Sequence, residues 1–487
     1  MKFLYPDDST ALHTDAYELT MMQTYWKQGI GNRRAVFETF FRKMPFENGY
    51  AVFAGLDHII RYINSLHFTK SDIDYLRTTN QFDYDFLDYL ADFHFTGNIR
   101  SMAEGELVFN HEPIIQVEGT LLETQLVETA ILNVINYQIM VATKAARIKS
   151  IVGDQTVMEF GTRRAQEFDA ALWGTRAAYI GGFDATSNVR AGKLFGIPIS
   201  GTHAHALVQT YRNDYDAFRA YAQTHHDCVF LVDTYDTLRS GVPNAIRVAH
   251  EMGDKINFIG VRIDSGDMAY LSKKVRQMLD NAGFPNAKII ASNDLDEKTI
   301  SNLKMQGAKI DTWGVGTKLI TAYDQPTLGA VYKMVSVEDD NGQMVDTIKL
   351  SNNVSKMSTP GKHQVWRITD CKDDKSEGDY VTLVDEDPRK QDSLFMFDPN
   401  YTFLNKTVTD FKARPLLQDI FINGKQVYDE PNLEEIRAAR QRHLDKLWDE
   451  YKRDLNPEVY PVDLSQKCYD NKMKMIKQIH DKIRKMR

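Results

Sequence analysis

The chain has 487 residues, of which 43% are hydrophobic and 26% are charged. This length and composition exclude a single small module, a disordered or collagen-like chain and a membrane-embedded protein. The net charge of -8 argues against a nucleic-acid-binding protein that depends on bulk electrostatic attraction, but it leaves room for a local basic pocket that binds a phosphorylated small molecule.

The first part of the chain mixes helical and extended patterns, which predicts an N-terminal mixed α/β domain over residues 1–125. Its start carries acidic and polar residues where a signal peptide needs a basic end and an apolar run. The three cysteines are far apart, which fits a reducing compartment, so we expect a cytoplasmic protein. Segment 121–148 is apolar but is interrupted by Glu and Asn, which predicts a buried core helix rather than a membrane span.

From about residue 155 a different rhythm begins, in which short apolar runs with polar ends alternate with helical stretches. The runs are TVMEFGTRR, DATSNV, IPISGTHAH, VFLVDTYD, FIGVRIDSGD, KIIASNDLD and DTWGVGT. Strands that alternate with helices pair in parallel, so the pattern predicts an irregular TIM-like (β/α) barrel over residues 126–340. An open doubly wound sheet is the alternative. In either fold the polar carboxyl ends of the strands predict an active site.

The rhythm stops after about residue 340. A turn signal at Asn341-Gly342 and a sequence pattern typical of β-hairpins predict a β-rich segment over residues 341–430 that packs back on the N-terminal domain. Residues 431–487 follow a helical pattern and predict a C-terminal helical extension that ends in a basic amphipathic helix. Such a helix can bind membranes or nucleic acid, but docking on its own protein is the favoured interpretation, so we expect neither partner.

The GTHAH motif places His203 and His205 one residue apart. Two imidazoles on one face would supply ligands for the metal of a barrel hydrolase. Such a site needs further histidines, and the later strand ends contain none. A purely structural pair is the other alternative, and we assign no residue as a metal ligand.

Carboxylates and glycines supply the other strand ends. DTYD, DSGD and SNDLD place Asp233, Asp264 and Asp294 at the same edge, where carboxylates orient ribose hydroxyls or hold Mg²⁺. Each acid could instead cap the helix that follows. WGVGT places Gly314 and Gly316 at a strand-to-helix turn, whose amides are suited to a phosphate.

EFGTRR places Phe160 beside two arginines. A flat aromatic substrate with an anionic group needs a ring to stack on and a guanidinium to pair with. A core phenylalanine beside surface salt bridges explains the same motif equally well.

Nine motifs, in this order, resemble nicotinate phosphoribosyltransferase over about residues 10–370. They are TDAYELTM, FFRKMPFENGYAVFAGL, EFGTRRAQ, ATSNV, GTHAHA, VDTYDT, VRIDSGD, SNDLD and WGVGT. The resemblance implies an enzyme of NAD salvage that forms nicotinate mononucleotide and pyrophosphate from nicotinate and phosphoribosyl pyrophosphate. It also implies ATP as a co-substrate, Mg²⁺ as a cofactor, an α/β domain packed on an irregular barrel, and a homodimer.

The resemblance also implies roles for individual residues. The family pattern is Gly-Thr, two residues and then the histidine that ATP phosphorylates, which falls on His205, with Asp233 as the orienter of its ring. Tyr17 and Phe160 would sandwich the pyridine ring, with Tyr17 reaching across the dimer. The remaining positions would contact the substrate carboxylate, the ribose or the phosphates: Arg163, Arg262, Asp264, Ser265, Gly266, Asp294, Gly314, Gly316 and Thr317.

One position bears on the choice of substrate. Nicotinamide-using relatives carry an acid in the segment that matches ATSNV, and this chain has Ser187 there. Because a buried acid would repel a carboxylate, serine beside arginine favours nicotinate. The alternatives are a nicotinamide phosphoribosyltransferase, a shorter quinolinate transferase, the metal-dependent hydrolase that would use both histidines, and a catalytically idle binding or assembly protein.

Overall fold

The computed structural model describes residues 9–351 and 357–485. Its contacts divide the chain into two compact units. The first unit runs to residue 140 and resumes at residue 327, and the second spans residues 141–326. The four-segment division expected from the sequence is finer than this and stays a prediction.

The N-terminal part of the first unit contains the first helices and strands of the chain. Its helices are α1 (Ala16–Lys27), α2 (Leu56–Ser65), α3 (Lys70–Thr78), α4 (Tyr84–Ala91), α5 (Leu121–Leu126) and α6 (Glu128–Val152), and α6 continues into the second unit. Its strands are β1 (Arg34–Phe41), β2 (Ala51–Val52), β3 (Asn98–Ser101), β4 (Leu107–Val108) and β5 (Ile115–Thr120). Helix α5 starts at a capping box in which Thr120 and Glu123 exchange hydrogen bonds.

Helices α5 and α6 form the apolar segment 121–152, which by length and composition alone could cross a membrane. Two thirds of its most apolar window is buried inside the protein, however. The prediction of a buried core helix is therefore confirmed.

The second unit alternates strands and helices. Its strands are β6 (Thr156–Glu159), β7 (Ala185–Thr186), β8 (Asp227–Leu231), β9 (Asn257–Ile263), β10 (Lys288–Ser292) and β11 (Thr312–Val315). Its further helices are α7 (Glu167–Ile180), α8 (Val189–Phe195), α9 (His205–Tyr211), α10 (Asp214–Thr224), α11 (Val242–Met252), α12 (Met268–Asn281), α13 (Glu297–Met305) and α14 (Thr317–Ile320).

These six strands form one parallel sheet in the order β7-β6-β11-β10-β9-β8. The prediction of an α/β fold with parallel strands is confirmed, and the sheet is a curled half-barrel. The prediction of a strand in IPISGTHAH is wrong, because that segment makes only a single bridge, between Ile199 and Thr186. The adjacent Pro198 lacks the N–H that a longer ladder would need.

The chain then returns to the first unit. Its remaining strands are β12 (Ala330–Glu338), β13 (Met344–Asp346), β14 (His363–Asp370), β15 (Ser376–Leu383), β16 (Ser393–Phe397), β17 (Asn405–Thr409), β18 (Phe411–Pro415), β19 (Gln418–Ile422), β20 (Lys425–Gln426) and β21 (Val462–Leu464). Its last helices are α15 (Leu433–Lys446) and α16 (Gln466–Lys485).

Strands from both ends of the chain share a seven-stranded sheet in the order β13-β12-β1-β5-β3-β19-β20. The turn predicted at Asn341-Gly342 is confirmed, since it joins β12 to β13 and Gly342 has a positive φ of 77°. A four-stranded sheet, β18-β14-β15-β21, lies in the same unit.

Candidate active site

His205 is the first residue of α9 and directly follows the cap residue Ala204. Its Nδ1 lies 3.0 Å from the hydroxyl of Thr234, and its Nε2 lies 3.9 Å from a carboxylate oxygen of Asp264. The side chain is 36% exposed, so the ring is held on one side and open to a ligand on the other. Thr234 thus makes the contact that the sequence assigned to its neighbour Asp233, and a role for Asp233 in orienting the ring stays a prediction.

Arg262 organises the residues around that histidine. Its Nε donates to Ser292 Oγ at 2.9 Å, its Nη1 to Thr202 Oγ1 at 3.0 Å and its Nη2 to Asp264 Oδ1 at 3.2 Å. The Ser292 hydroxyl also donates to Asp264. Arginine and carboxylate are therefore fixed against each other at the ends of β9 and β10, where neutral hydroxyls link them.

Asp233 lies at the end of β8 and binds the turn after β9. Its Oδ2 accepts from the Asp264 N–H at 3.1 Å and from the Ser265 hydroxyl. Its Oδ1 is buried and has no hydrogen-bond partner among the described residues. Because a buried carboxylate oxygen without a donor is costly, Oδ1 is suited to a water or a cation.

The two acids of each strand-end motif have different functions. The second acid caps the helix or helical turn that follows, and these capping residues are Asp236, Asp267 and Asp296. The first acids, Asp233 and Asp264, face the network described above, while Asp294 is exposed at a turn in which it and Asn293 both have positive φ. Capping therefore explains the second acid of each motif but not the first.

Phe160 is seated on strand β11. Its N–H donates to Val315 O at 2.8 Å, and a Cβ added to Gly314 would lie only 2.6 Å from its ring. The guanidinium carbon of Arg262 lies 5.7 Å from the ring centroid. Glycine at position 314 therefore makes room for an aromatic platform, and its predicted contact with a phosphate stays a prediction.

Glu159, next to Phe160, is a buried acid of the site that was not predicted from the sequence. It accepts from the Gly161 N–H, from Thr175 Oγ1 at 3.0 Å and from Thr186 Oγ1 at 2.6 Å. Burial raises its pKa despite these donors. The only sequence signal was an acid at the end of an apolar run. Thr202, Thr234 and Ser292 were also missed, although each neighbours a motif residue.

The other predicted residues are placed as follows. Exposed positions at the strand ends are Arg163, Ser187, Ser265 and Gly266. Gly316 is the residue before α14 and Thr317 is its first residue. Tyr17 belongs to the first unit, on α1, where about half of its surface is exposed, and its pairing with Phe160 stays a prediction.

His203 does not join His205 as a second metal ligand. It is buried, its Nε2 accepts from the Leu231 N–H at 3.2 Å, and its Nδ1 lies 3.4 Å from Ala204 O. Both of its nitrogens are therefore engaged. In the ranges 9–351 and 357–485 no group of three or more His, Cys, Asp or Glu side chains is arranged to hold a metal ion.

A parallel α/β sheet with an imidazole, a guanidinium, carboxylates and an aromatic platform at its strand ends defines an enzyme that acts on an anionic small molecule. Family models identify the class more narrowly. They match the nicotinate phosphoribosyltransferase N-terminal domain at residues 12–136, the nicotinate phosphoribosyltransferase family at 155–375 and the C-terminal domain at 362–472. The chain belongs to the nicotinate phosphoribosyltransferase family.

Individual relatives agree. The chain is 60% identical over 483 residues to nicotinate phosphoribosyltransferase of Bacillus subtilis, covering 99% of this chain and 98% of that protein. It is 36% identical over 525 residues to the Dictyostelium discoideum nicotinate phosphoribosyltransferase, covering 95% and 87%. A crystal structure of human nicotinic acid phosphoribosyltransferase superposes with a TM-score of 0.83 at 29% identity, covering 94% of this chain and 98% of that one. The predicted family and enzyme activity are confirmed, which decides against the metal-dependent hydrolase.

Proposed function

We propose that the chain converts nicotinate and phosphoribosyl pyrophosphate into nicotinate mononucleotide and pyrophosphate, and couples this transfer to ATP hydrolysis through a transient phosphohistidine at His205. The observation that supports this most directly is one continuous set of contacts in the second unit. It runs from the Phe160 ring through Arg262 and Asp264 to the imidazole of His205. In the proposed site the Phe160 ring would be the ring platform, Arg262 the anion partner and His205 the phosphoryl acceptor.

The pyridine ring of nicotinate would stack on Phe160, with its carboxylate paired to arginine. Arg262 carries five N–H donors, and three of them are used by the described residues. Two remain for a carboxylate, which matches bidentate recognition. Arg163 is the second candidate, and Tyr17 would cover the other face of the ring. Because position 187 is a serine and not an acid, nicotinate is favoured over the alternative substrate nicotinamide.

In the transfer step the pyridine nitrogen bonds to C1 of the ribose while the bond from C1 to the pyrophosphate oxygen breaks. Positive charge develops on the sugar and negative charge on the leaving group, so catalysis depends on positioning and electrostatics. Asp264 and Asp294 would face the ribose, and the amides near Ser265, Gly266 and Gly316 would face phosphate oxygens. Thr317 would donate its hydroxyl to the same group.

Mg²⁺ fits the oxygen atoms of this site. Asp233 Oδ1 is buried without a partner, and Asp264 Oδ2 lies at the same strand ends. Oxygen donors of this kind suit Mg²⁺, which when bound neutralises the charge of pyrophosphate. Asp233 and Asp264 are therefore the residues that we propose hold it.

In the proposed coupling step, ATP phosphorylates His205. An imidazole nitrogen attacks the γ-phosphorus, so that a P–N bond forms, the P–O bond to ADP breaks and ADP leaves with that electron pair. Water later cleaves the P–N bond and releases inorganic phosphate. Thr234 holds the ring in one orientation for this exchange.

Larger features of the proposal come from the sequence resemblance. The curled sheet would form part of an irregular TIM-like (β/α) barrel, in a chain that also has an N-terminal mixed α/β domain and a C-terminal helical extension. The enzyme works as a homodimer in the cytoplasm, and Tyr17 reaches the ring across that dimer.

The proposal is tested by incubating the protein with nicotinate, phosphoribosyl pyrophosphate and Mg²⁺, with and without ATP, and measuring the mononucleotide by chromatography. His205→Ala should abolish stimulation by ATP and labelling from γ-³²P-ATP, while weak ATP-independent transfer remains. His226→Ala is the matched control, because His226 is exposed at the opposite end of β8. Undiminished coupling in His205→Ala would count against the assignment, and a wild-type protein that forms no mononucleotide would refute the function.

A further inference from the structure

His203 is the member of the GTHAH pair that the proposed function leaves without a role. It is 8% exposed, although neighbouring residues of the same loop reach the surface. Its ring lies 5.8 Å from Phe218 and 5.1 Å from Tyr221 of α10, measured between centroids. These two aromatic contacts fix the plane in which the imidazole can lie.

The imidazole occupies the open edge of strand β8. On the β9 side, Leu231 is in register with Arg262, and the N–H of the next residue, Val232, donates to Arg262 O at 3.1 Å. The N–H of Leu231 points to the opposite side, where the sheet has no further strand, and donates to His203 Nε2. A side chain therefore takes the acceptor place that a strand backbone would fill.

The same segment also binds the other edge of the sheet. Thr186 of β7 donates its N–H to Pro198 O at 3.0 Å, and the Ser200 N–H donates back to Thr186 O at 2.8 Å. Residues 198–204, the linking segment, thus run from the edge at β7 to the edge at β8.

The imidazole must be neutral to act in this way. An Nε2 that accepts from an amide carries no proton, so the ring proton resides on Nδ1, which faces Ala204 O. Burial lowers the pKa of His203 to about 4, which keeps the ring neutral at physiological pH. Few other side chains offer a neutral acceptor at this reach together with a flat ring.

We propose that His203 is a positioning residue: its imidazole ties the linking segment to the edge of β8 and so holds His205 against Thr234. The contact of His203 with Leu231 and the contact of His205 with Thr234 are adjacent, because His205 follows His203 by two residues and Thr234 follows Leu231 by three. Without the hydrogen bond from Leu231 to His203, the start of α9 would no longer be fixed. The contact between His205 and Thr234 depends on the position of that start. The inference rests on the proposed function only through the role of His205.

The test compares three variants. His203→Leu fills the space without an acceptor, His203→Gln restores an acceptor oxygen near Nε2, and His226→Leu is the surface control. Because small misplacements of a reacting group cost about 10- to 100-fold, ATP-stimulated turnover of His203→Leu should fall by that factor. Its ATP-independent transfer should fall by a clearly smaller factor, because the lost hydrogen bond acts directly on the start of α9, while Thr202 of the same segment keeps its own contact with Arg262. His203→Gln should recover most of the coupling. A purely structural defect would lower both rates in proportion, and that result overturns the proposal.

Hydrogen exchange supplies a readout that needs no activity. The peptide containing Leu231 should exchange faster in His203→Leu than in wild type or His203→Gln. If this peptide exchanges at the wild-type rate in His203→Leu, the proposal is wrong even if turnover falls. If His203→Leu does not fold, His203→Asn replaces it, since its shorter amide falls short of the Leu231 N–H. Wild-type protein without ATP stimulation would refute the proposed function, while the exchange result would still decide the tie.

Discussion

Ser187 is the residue on which the preference for a carboxylate over an amide depends in the proposed site. It follows β7, its side chain is exposed, and its N–H donates to Glu159 O at 2.9 Å, which fixes its backbone. In Ser187→Asp a second carboxylate would face that of nicotinate and repel it. The ratio of kcat/KM for nicotinate to that for nicotinamide should fall at least about tenfold, equivalent to about 1.4 kcal/mol.

Steady-state kinetics with both substrates measure this ratio. Ser187→Asn is the matched control, because it has nearly the same shape as aspartate without the charge. Its ratio should stay close to that of the wild type. If Ser187→Asp leaves the ratio unchanged, the electrostatic explanation of specificity is wrong.

At the same scale, the sequence predicted which residue types form the site better than it predicted their contacts. It identified Asp233 and Asp264 but could not tell them from the capping acids, since Asp is a good cap and a good ligand. Spacing distinguishes the capping acids in part, because a capping acid accepts from an N–H a few residues later. Asp267, for example, accepts from the N–H of Tyr270, three residues on. The hydroxyl of Thr234 gave no signal because threonines are common in turns and strands.

Strand β11 illustrates what a single glycine contributes to an element. Gly314 pairs with Ser292 of β10, and its α-carbon faces the Phe160 ring. In Gly314→Ala the new methyl group would overlap that ring, so Phe160 must shift. We expect the KM for nicotinate to rise severalfold and unfolding to become easier by about 1–3 kcal/mol, which is typical of overpacking.

Kinetics and thermal unfolding check both effects. Gly201→Ala is the control for the unfolding measurement, because a Cβ at that position meets no atom within 4 Å. A Gly314→Ala protein with unchanged KM would show that the ring platform does not depend on this glycine.

Among elements, six of the seven strands that local periodicity predicted for the second unit are present. The prediction failed at IPISGTHAH, where the apolar run is interrupted by Pro198 and followed by Gly201, so only one bridge forms. The edge of β8 is completed there by the side chain of His203. No periodicity of backbone pairing can reveal an acceptor that belongs to a side chain.

At the scale of the whole molecule, the first unit could not be read from the sequence in the same way. Its seven-stranded sheet pairs β1 with β12, so that Ala35 lies opposite Val337 although about 300 residues separate them. Local patterns contain no information about such distant partners. In the second unit four of the five strand pairs join strands that are consecutive in the chain, the exception being β6 with β11, which is why its class was predictable.

A buried acid in the first unit sets a pH dependence of stability for the whole chain. Asp463 lies in β21, is 6% exposed and is in register with Tyr380 of β15. Burial, and then the charge of Asp398, raise its pKa from 3.8 to about 7, and Lys406 offsets this only in part. The folded state therefore binds this proton more tightly than the unfolded state does. Its favourable effect is complete below pH 3.8 and is lost as the pH rises through about 7.

Asp463→Asn removes this titration and keeps the shape of the side chain. One pKa unit corresponds to about 1.4 kcal/mol, so the variant should gain stability over wild type progressively from pH 4 to pH 7, and the gain should then level off. Thermal unfolding at pH 4, 5.5, 7 and 8 measures the difference in Tm. Asp429→Asn, at an exposed position, should show no such trend. Because other buried acids titrate equally in both proteins, a difference in Tm that stays constant across this range would assign the proton to another group.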